Sequence, residues 1–224
     1  KKEEFLNAIE DTIYAIESYD ITTVRASVGQ YLVSKYIAEN TDIKVVMSGD
    51  GSDELSSGYM YNYNAPTFDE LHDEARLRLK EIHLYDSLRA DRATSCHGLE
   101  LRVPFLDKSF VQFCMSISGD LRKPQHNFEK YYLRKAFEDM LPKEVIWRRK
   151  EGFSDGVGGL EKPWFKWIQE SIEKEYPDKM EISIGKNEKV MVEELIKEFP
   201  SKEAWYYNYV FRQYYGTLYT PITK

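Results

Sequence analysis

Long apolar runs are missing from this sequence of 224 residues. None approaches the roughly 20 residues that span a bilayer, and nothing resembles a signal peptide. The expectation is a cytoplasmic protein with no membrane contact. Cysteine is scarce, with only Cys96 and Cys114. They form no CxxC and no metal spacing, so a disulfide framework and a zinc ribbon are excluded, and free thiols in a reducing compartment are expected. An excess of positive charge is absent too: 31 basic against 38 acidic residues give a net charge of −7. General affinity for nucleic acid or anionic membranes is therefore not expected, although local basic patches remain open. His72 and His83 lack a third ligand at a sensible spacing for metal. Internal repeats and low-complexity segments are also lacking.

What is present is a globular composition, 42% hydrophobic and 31% charged, long enough for one large or two small domains. The 17 tyrosines fit a packed core with hydroxyls at its rim. "KKEEFLNAIEDTIYAIESYD" begins inside an amphipathic helix, with Phe5, Ile9, Ile13 and Ile16 on one stripe. With no cap before it, the chain reads as a piece of something longer. A second helix is expected from Thr23 to about Glu39, with Val28, Tyr31, Leu32 and Tyr36 inward. The strand Ile43–Met47 follows, completing the αβ half of a parallel unit. From Pro66 the pattern is mostly helical. Thr67 and Glu70 form a capping box for a helix running to about Ala93. "HGLELRVPFLD" reads as an extended connector, because Gly98 breaks the helix and Pro104 keeps Val103 out of the α region. Further helices are expected near Lys108–Ser116, Phe128–Met140 with Asn127 as cap, Trp164–Glu175, Lys189–Phe199 and Lys202–Tyr215.

The strand runs into "MSGDGSDELSSGY", a turn dense in glycine and carboxylate. It is no Walker loop, since no lysine follows the glycines. The dinucleotide fingerprint fails at Glu54, and a calcium loop fails at Leu55 and Tyr61. Two readings stay open: a solvated turn, or a ligand site at the carboxyl end of a parallel strand. There the glycines would let backbone N–H groups approach an anion, and the carboxylates would suit magnesium.

At 100° per residue, Arg78, Asp86 and Arg89 fall on the apolar stripe that Leu71, Ala75 and Ile82 define. Lone buried charges are costly, so these must pair or face a polar cavity; an ion-pair cluster and a site wall both fit. Glu100 and Arg102 alternate with Leu99, Leu101 and Val103, which a plain exposed face explains equally well. "RRKEGFSDG", within the loop Trp147–Gly159, puts three cations beside a glycine turn. It suits pyrophosphate, with Lys150 as a mobile point charge, or is a solvated basic loop.

Together "YDITTVRAS", "VVMSGDGSDELSSGY", "LRADRATSCHGLELRVPFLD" and "WRRKEGFSDG" resemble the synthetase domain of glutamine-hydrolysing asparagine synthetases, in order and to about Tyr215. β-Lactam synthetases are similar in fold but match less well. The resemblance implies an α/β ATP-pyrophosphatase fold, here with an incomplete parallel sheet and a large helical part. Residues 1–60 would be the nucleotide-binding part and 61–224 the mainly helical part. It implies ATP and Mg2+ as cofactors, and aspartate activated as β-aspartyl-AMP with loss of pyrophosphate. Ammonia, drawn from glutamine by an amino-terminal glutaminase domain, would then attack. A homodimer is implied as well. By position, Ser48, Gly49 and Asp50 match the nucleotide-contacting segment, and Asp53 the magnesium-associated aspartate. Lys150 matches the lysine facing pyrophosphate and the reacting centre. Asp86 and Arg89 match charged residues of the synthetase site. Thr22, Thr23 and Arg25, with Tyr59 and Arg78, fall among its lining positions.

The departures are specific. Asp50 stands where the family has Glu, and its reach is shorter by about one C–C bond, roughly 1.5 Å. No SGGxDS pyrophosphate loop and no glutaminase cysteine occur, and the chain is a few residues shorter near "FPSKEAWYY". The expectation is the carboxy-terminal part of the enzyme, inactive alone. Two alternatives are a non-catalytic degenerate domain and a β-lactam-synthetase-like ligase acting on another carboxylic acid.

Overall fold

A computed structural model describes residues 2–150, 152, 162–184 and 188–216. The chain divides into two compact units that interleave along the sequence.

One unit takes residues 1–44, 89–99 and 152–224. Its core is aromatic and aliphatic. Ile9, Ile13 and Ile16 from the helix Ile9–Ile16 meet Val24 and Val28 of the helix Ile21–Asn40. Trp164, Ile168 and Ile172, spaced four apart on Trp164–Glu175, close on Trp205, Tyr207 and Phe211 of Lys202–Tyr215. Spacing by three and four puts Ile9, Ile13 and Ile16, and likewise Trp164, Ile168 and Ile172, on one helix face, and full burial of such an apolar side chain stabilises by roughly 1.5–3 kcal/mol. Within the expected second helix, Val28 is buried and Tyr31 and Leu32 pack on the core. Tyr36 differs: it is 66% exposed. Asp20 starts that helix by accepting from the Thr23 N–H at 2.8 Å. Where a helix was expected from Lys189, an antiparallel hairpin pairs Glu181–Ile184 with Glu188–Met191, and a short helix Val192–Ile196 follows.

The other unit takes residues 45–88 and 100–151. Strand β1 (Val45–Met47) pairs in parallel with β2 (Glu100–Arg102), in the register Val46↔Leu101. The expected extended connector is thus partly a strand, too short for alternation to mark it. Glu100 and Arg102 pair with each other on its exposed face, so the plain reading of that pattern holds.

The helix opened by Thr67 stops early. It spans Phe68–Glu81, passes through a 3-10 turn at Ile82–Leu84, and a new helix spans Asp86–Ser95. Tyr85 takes φ −128° and ψ −88°, which breaks the 100° register between Arg78 and Asp86. No glycine or proline marks the break. The helix expected over Phe128–Met140 shrinks to Tyr131–Ala136, because Asn127 and Lys130 adopt positive φ and Gln125 bridges Phe128. Thr67 does cap: its Oγ1 accepts from the Glu70 N–H at 3.2 Å and donates to the Glu70 carboxylate at 2.9 Å. Thr67→Ala is expected to cost about 1 kcal/mol, read from the urea midpoint. An unchanged midpoint would show the cap to be idle. Both cysteines are free thiols.

Candidate functional site

β1 delivers the chain into the acidic turn. The Ser48 N–H still donates to the Arg102 carbonyl at 2.8 Å, so the pairing with β2 extends past the strand. The Ser48 hydroxyl then donates to Asp50 Oδ2 at 2.5 Å and accepts from the Asp50 N–H at 3.3 Å, which folds that carboxylate back over the turn. Gly51 is required twice over. Its φ is +89°, and a Cβ there would lie 2.4 Å from Leu106 Cδ2. At Gly49 a Cβ would meet nothing within 4 Å, so that side of the turn is open to a ligand.

The short helix Ser52–Leu55 presents Asp53 to two lysines. Lys130 Nζ lies 3.0 Å from Asp53 Oδ2 and also donates to Ser52 Oγ at 3.2 Å. Lys150 Nζ lies 3.4 Å from Asp53 Oδ1 and 4.9 Å from the centre of the Tyr59 ring. The two lysine side chains are only 19% and 20% exposed, so water screens these charges incompletely. Asp53 Oδ1 is buried and, despite the ion pair, has no hydrogen-bond partner among the described residues. Gly58 makes room for it: a Cβ there would sit 2.0 Å from that oxygen.

Behind Asp53 lies a second acid. Glu54 is buried and accepts a short hydrogen bond from the Tyr59 hydroxyl. Burial pushes the Glu54 carboxyl up from its ordinary value, the Tyr59 bond opposes this, and the charges of Asp86 and Asp53 add to the rise. Burial first, then the Glu54 charge, push the Tyr59 phenol well above its usual range, so it stays a donor. The Tyr59 ring stacks on Tyr61 at 5.4 Å. The Tyr61 hydroxyl bonds Glu74 Oε1 at 3.2 Å, and burial with the Glu74 charge raises that phenol to about 12. Glu74 in turn accepts from Arg78 Nε at 2.7 Å. Arg78 is therefore in a half-exposed ion pair at the far end of this chain of contacts.

Of the residues singled out from the sequence, Ser48, Gly49, Asp50, Asp53, Tyr59, Arg78, Asp86 and Lys150 belong to this unit. Thr22, Thr23, Arg25 and Arg89 belong to the other. There the Thr23 hydroxyl donates to the capping Asp20 carboxylate at 2.7 Å, and Thr22 is exposed. Arg25 forms a bidentate pair with buried Glu203, at 2.7 and 2.6 Å. Arg89 is buried and donates to Gln30 Oε1 at 3.1 Å. Lys150 is described, while residues 151 and 153–159 of the basic loop lie outside the described residues. Sequence reasoning missed Lys130 and Glu54. Lys130 reads as one more cation on a helix surface; instead it stands with φ +55° just before the helix Tyr131–Ala136, and its side chain reaches Asp53.

The asparagine synthase family model matches residues 1–70 and 63–210, which include the acidic turn, Lys130 and Lys150. The chain belongs to the asparagine synthase family. Among curated proteins it is 46% identical to the glutamine-hydrolysing asparagine synthetase of Gallus gallus, over 220 residues. It is 45% identical to those of Mus musculus and Homo sapiens over the same length. In each case 95% of this chain is covered but only 37% of the relative, so the chain spans little more than a third of the proteins it matches.

For this asparagine synthase family member, the fit to magnesium is specific but limited. Among the described residues no group of three or more His, Cys, Asp or Glu gathers as for a metal held by protein alone. His72, one of the histidines weighed above, has its Nδ1 against Arg122 Nη2 at 2.6 Å. The unsatisfied Oδ1 of Asp53, beside two cations, fits an ion held chiefly by phosphate oxygens with one carboxylate. Among the described residues, no helix is long and apolar enough to cross a membrane.

Proposed function

We propose that this chain forms the nucleotide-activating part of an ATP-dependent ligase that makes asparagine from aspartate. The observation that carries the reading is Asp53 bracketed by Lys130 and Lys150 behind an open glycine turn at the carboxyl end of a parallel strand, in a member of this family. Open α/β sheets bind ligands at that end. The proposed fold is that of the ATP-pyrophosphatases. The nucleotide lies along Ser48–Asp50, where the missing side chain at Gly49 leaves space. Asp53 would hold Mg2+ through its unsatisfied oxygen; that ion would spread the negative charge of the triphosphate.

The aspartate side-chain carboxylate attacks the α-phosphorus, the bond to the β-phosphate oxygen breaks, and the electron pair leaves with pyrophosphate. Lys150 and Lys130 face that developing charge, and their partial burial strengthens the attraction. Ammonia then attacks the β-aspartyl-AMP carbonyl and expels AMP, losing a proton as the amide forms. Asp50, the acid at the open turn, is the group proposed to take it. Glutamine hydrolysis, dimer formation and a cytoplasmic setting are assigned to the whole protein.

Hydroxylamine offers the direct test. In the full-length protein with ATP, Mg2+ and aspartate, it should trap the acyl adenylate as aspartyl hydroxamate. Trapping with another carboxylic acid instead would move the assignment to a β-lactam-synthetase-like ligase. No trapping with any acid would favour the non-catalytic domain, the reading that Asp50 and the missing pyrophosphate loop favour. Asp50→Glu restores the longer acid and is expected to keep or raise the rate of asparagine formation. A collapse of that rate would show a site built around the shorter side chain.

A further inference from the structure

The same unit contains a cavity of about 420 Å³ that the proposed chemistry does not use. Its walls are apolar, with Phe105, Phe110, Phe113, Leu133 and Phe137 among them. The volume lies within the range of about 300–1,000 Å³ typical of small-molecule sites. Two of the lining residues are cations, Arg122 and Lys130, and none is acidic. Arg122 is 5% exposed. Its Nε donates to the Ile117 carbonyl at 3.0 Å, its Nη1 meets Met115 Sδ at 3.6 Å, and its Nη2 meets His72 Nδ1 at 2.6 Å. None of the three partners is an acid. Among the described residues no carboxylate pairs with it. A buried guanidinium without an anion is costly, and two of its five N–H groups are left without a partner in this set.

We infer that this cavity is a binding site for a small carboxylate with an aromatic or branched apolar body, anchored by Arg122. The carboxylate supplies the missing counter-charge through a forked pair with the guanidinium, and the body fills the phenylalanine walls. Cations in the lining of an otherwise apolar, acid-free space favour an amphipathic anion over an amine or a sugar. Leu55 and Ser56, which follow Asp53 on its short helix, also line the cavity, as does Lys130. A bound anion therefore competes with Asp53 for Lys130. Any effect of that competition on catalysis rests on the ligase reading; binding does not.

The test is calorimetry on the full-length protein with 4-phenylbutanoate and its uncharged partner, 4-phenylbutanamide. The carboxylate is expected to bind roughly tenfold tighter than the amide, as a charge-assisted pair predicts. Arg122→Gln should erase that ratio while the amide still binds. Ala136→Phe, which fills the cavity and leaves Arg122 intact, should abolish binding of both. Equal binding of the two probes would overturn the inference. So would no binding of either at millimolar concentration, or carboxylate binding that survives Ala136→Phe. If Arg122→Gln does not fold, the probe ratio in the unaltered protein and the Ala136→Phe result still decide.

Discussion

Replacing Lys150 with alanine is expected to lower pyrophosphate release by the full-length protein about a hundredfold or more. The size follows from where Lys150 sits. Its ammonium is 3.4 Å from Asp53 Oδ1, lies over the Tyr59 ring, and is four-fifths withdrawn from water. A cation held there acts on charge in the reacting centre with little solvent reorganisation. Its removal also leaves Asp53 Oδ1, already without a hydrogen bond, with no cation of its own. Lys130→Ala should do less, because Lys150 remains and Ser52 can be solvated. A Lys150→Ala protein that keeps more than half of the parent rate would take Lys150 out of the chemistry. The readout is initial pyrophosphate release at saturating ATP, checked against an unchanged melting curve.

The second large effect is on stability. Glu203→Ala is expected to cost about 3 kcal/mol, the low end for breaking a buried ion pair, since Arg25 keeps 20% exposure. Glu203 is 1% exposed and serves three groups: both nitrogens of the Arg25 fork, the Tyr207 hydroxyl at 3.0 Å, and Gln169 at 3.5 Å. Its loss leaves the Arg25 guanidinium, which also lies over the Phe165 ring at 5.0 Å, without its buried carboxylate. The Tyr207 phenol, fully buried and pushed well above its ordinary range by burial and by the Glu203 charge, would lose its acceptor. Urea unfolding followed by tryptophan fluorescence suits this test, because Trp164, Trp167 and Trp205 all lie in that unit. A loss below about 1 kcal/mol would mean that the pair contributes no more than a surface one.

The helical faces were legible because spacing by three and four survives in single sequence: Ile9, Ile13 and Ile16, or Trp164, Ile168 and Ile172, turn inward as their spacing requires. The acidic turn was legible from its glycines: Gly51 holds φ +89°, and at Gly58 a Cβ would lie 2.8 Å from the Asp53 Cα. The break at Tyr85 was not, since no residue there resists a helix and tertiary packing alone sets it. Arg78 lies before that break, on the same helix as Leu71 and Ala75, and it pairs with Glu74 one turn earlier, as the ion-pair reading expects. β2 pairs over only three residues, too few for a period of two to show. Lys130 and Arg122 were invisible because their meaning depends on partners far along the chain: Asp53 for one and His72 for the other.

The central claim is that the acidic turn and its lysines activate a carboxylate with ATP. The most direct measurement is pyrophosphate release by the full-length protein from ATP and Mg2+, with ammonia supplied, in the presence and absence of aspartate. The account predicts release that requires aspartate and matches the asparagine formed mole for mole. Release that ignores aspartate, or none at all from folded protein, would contradict it.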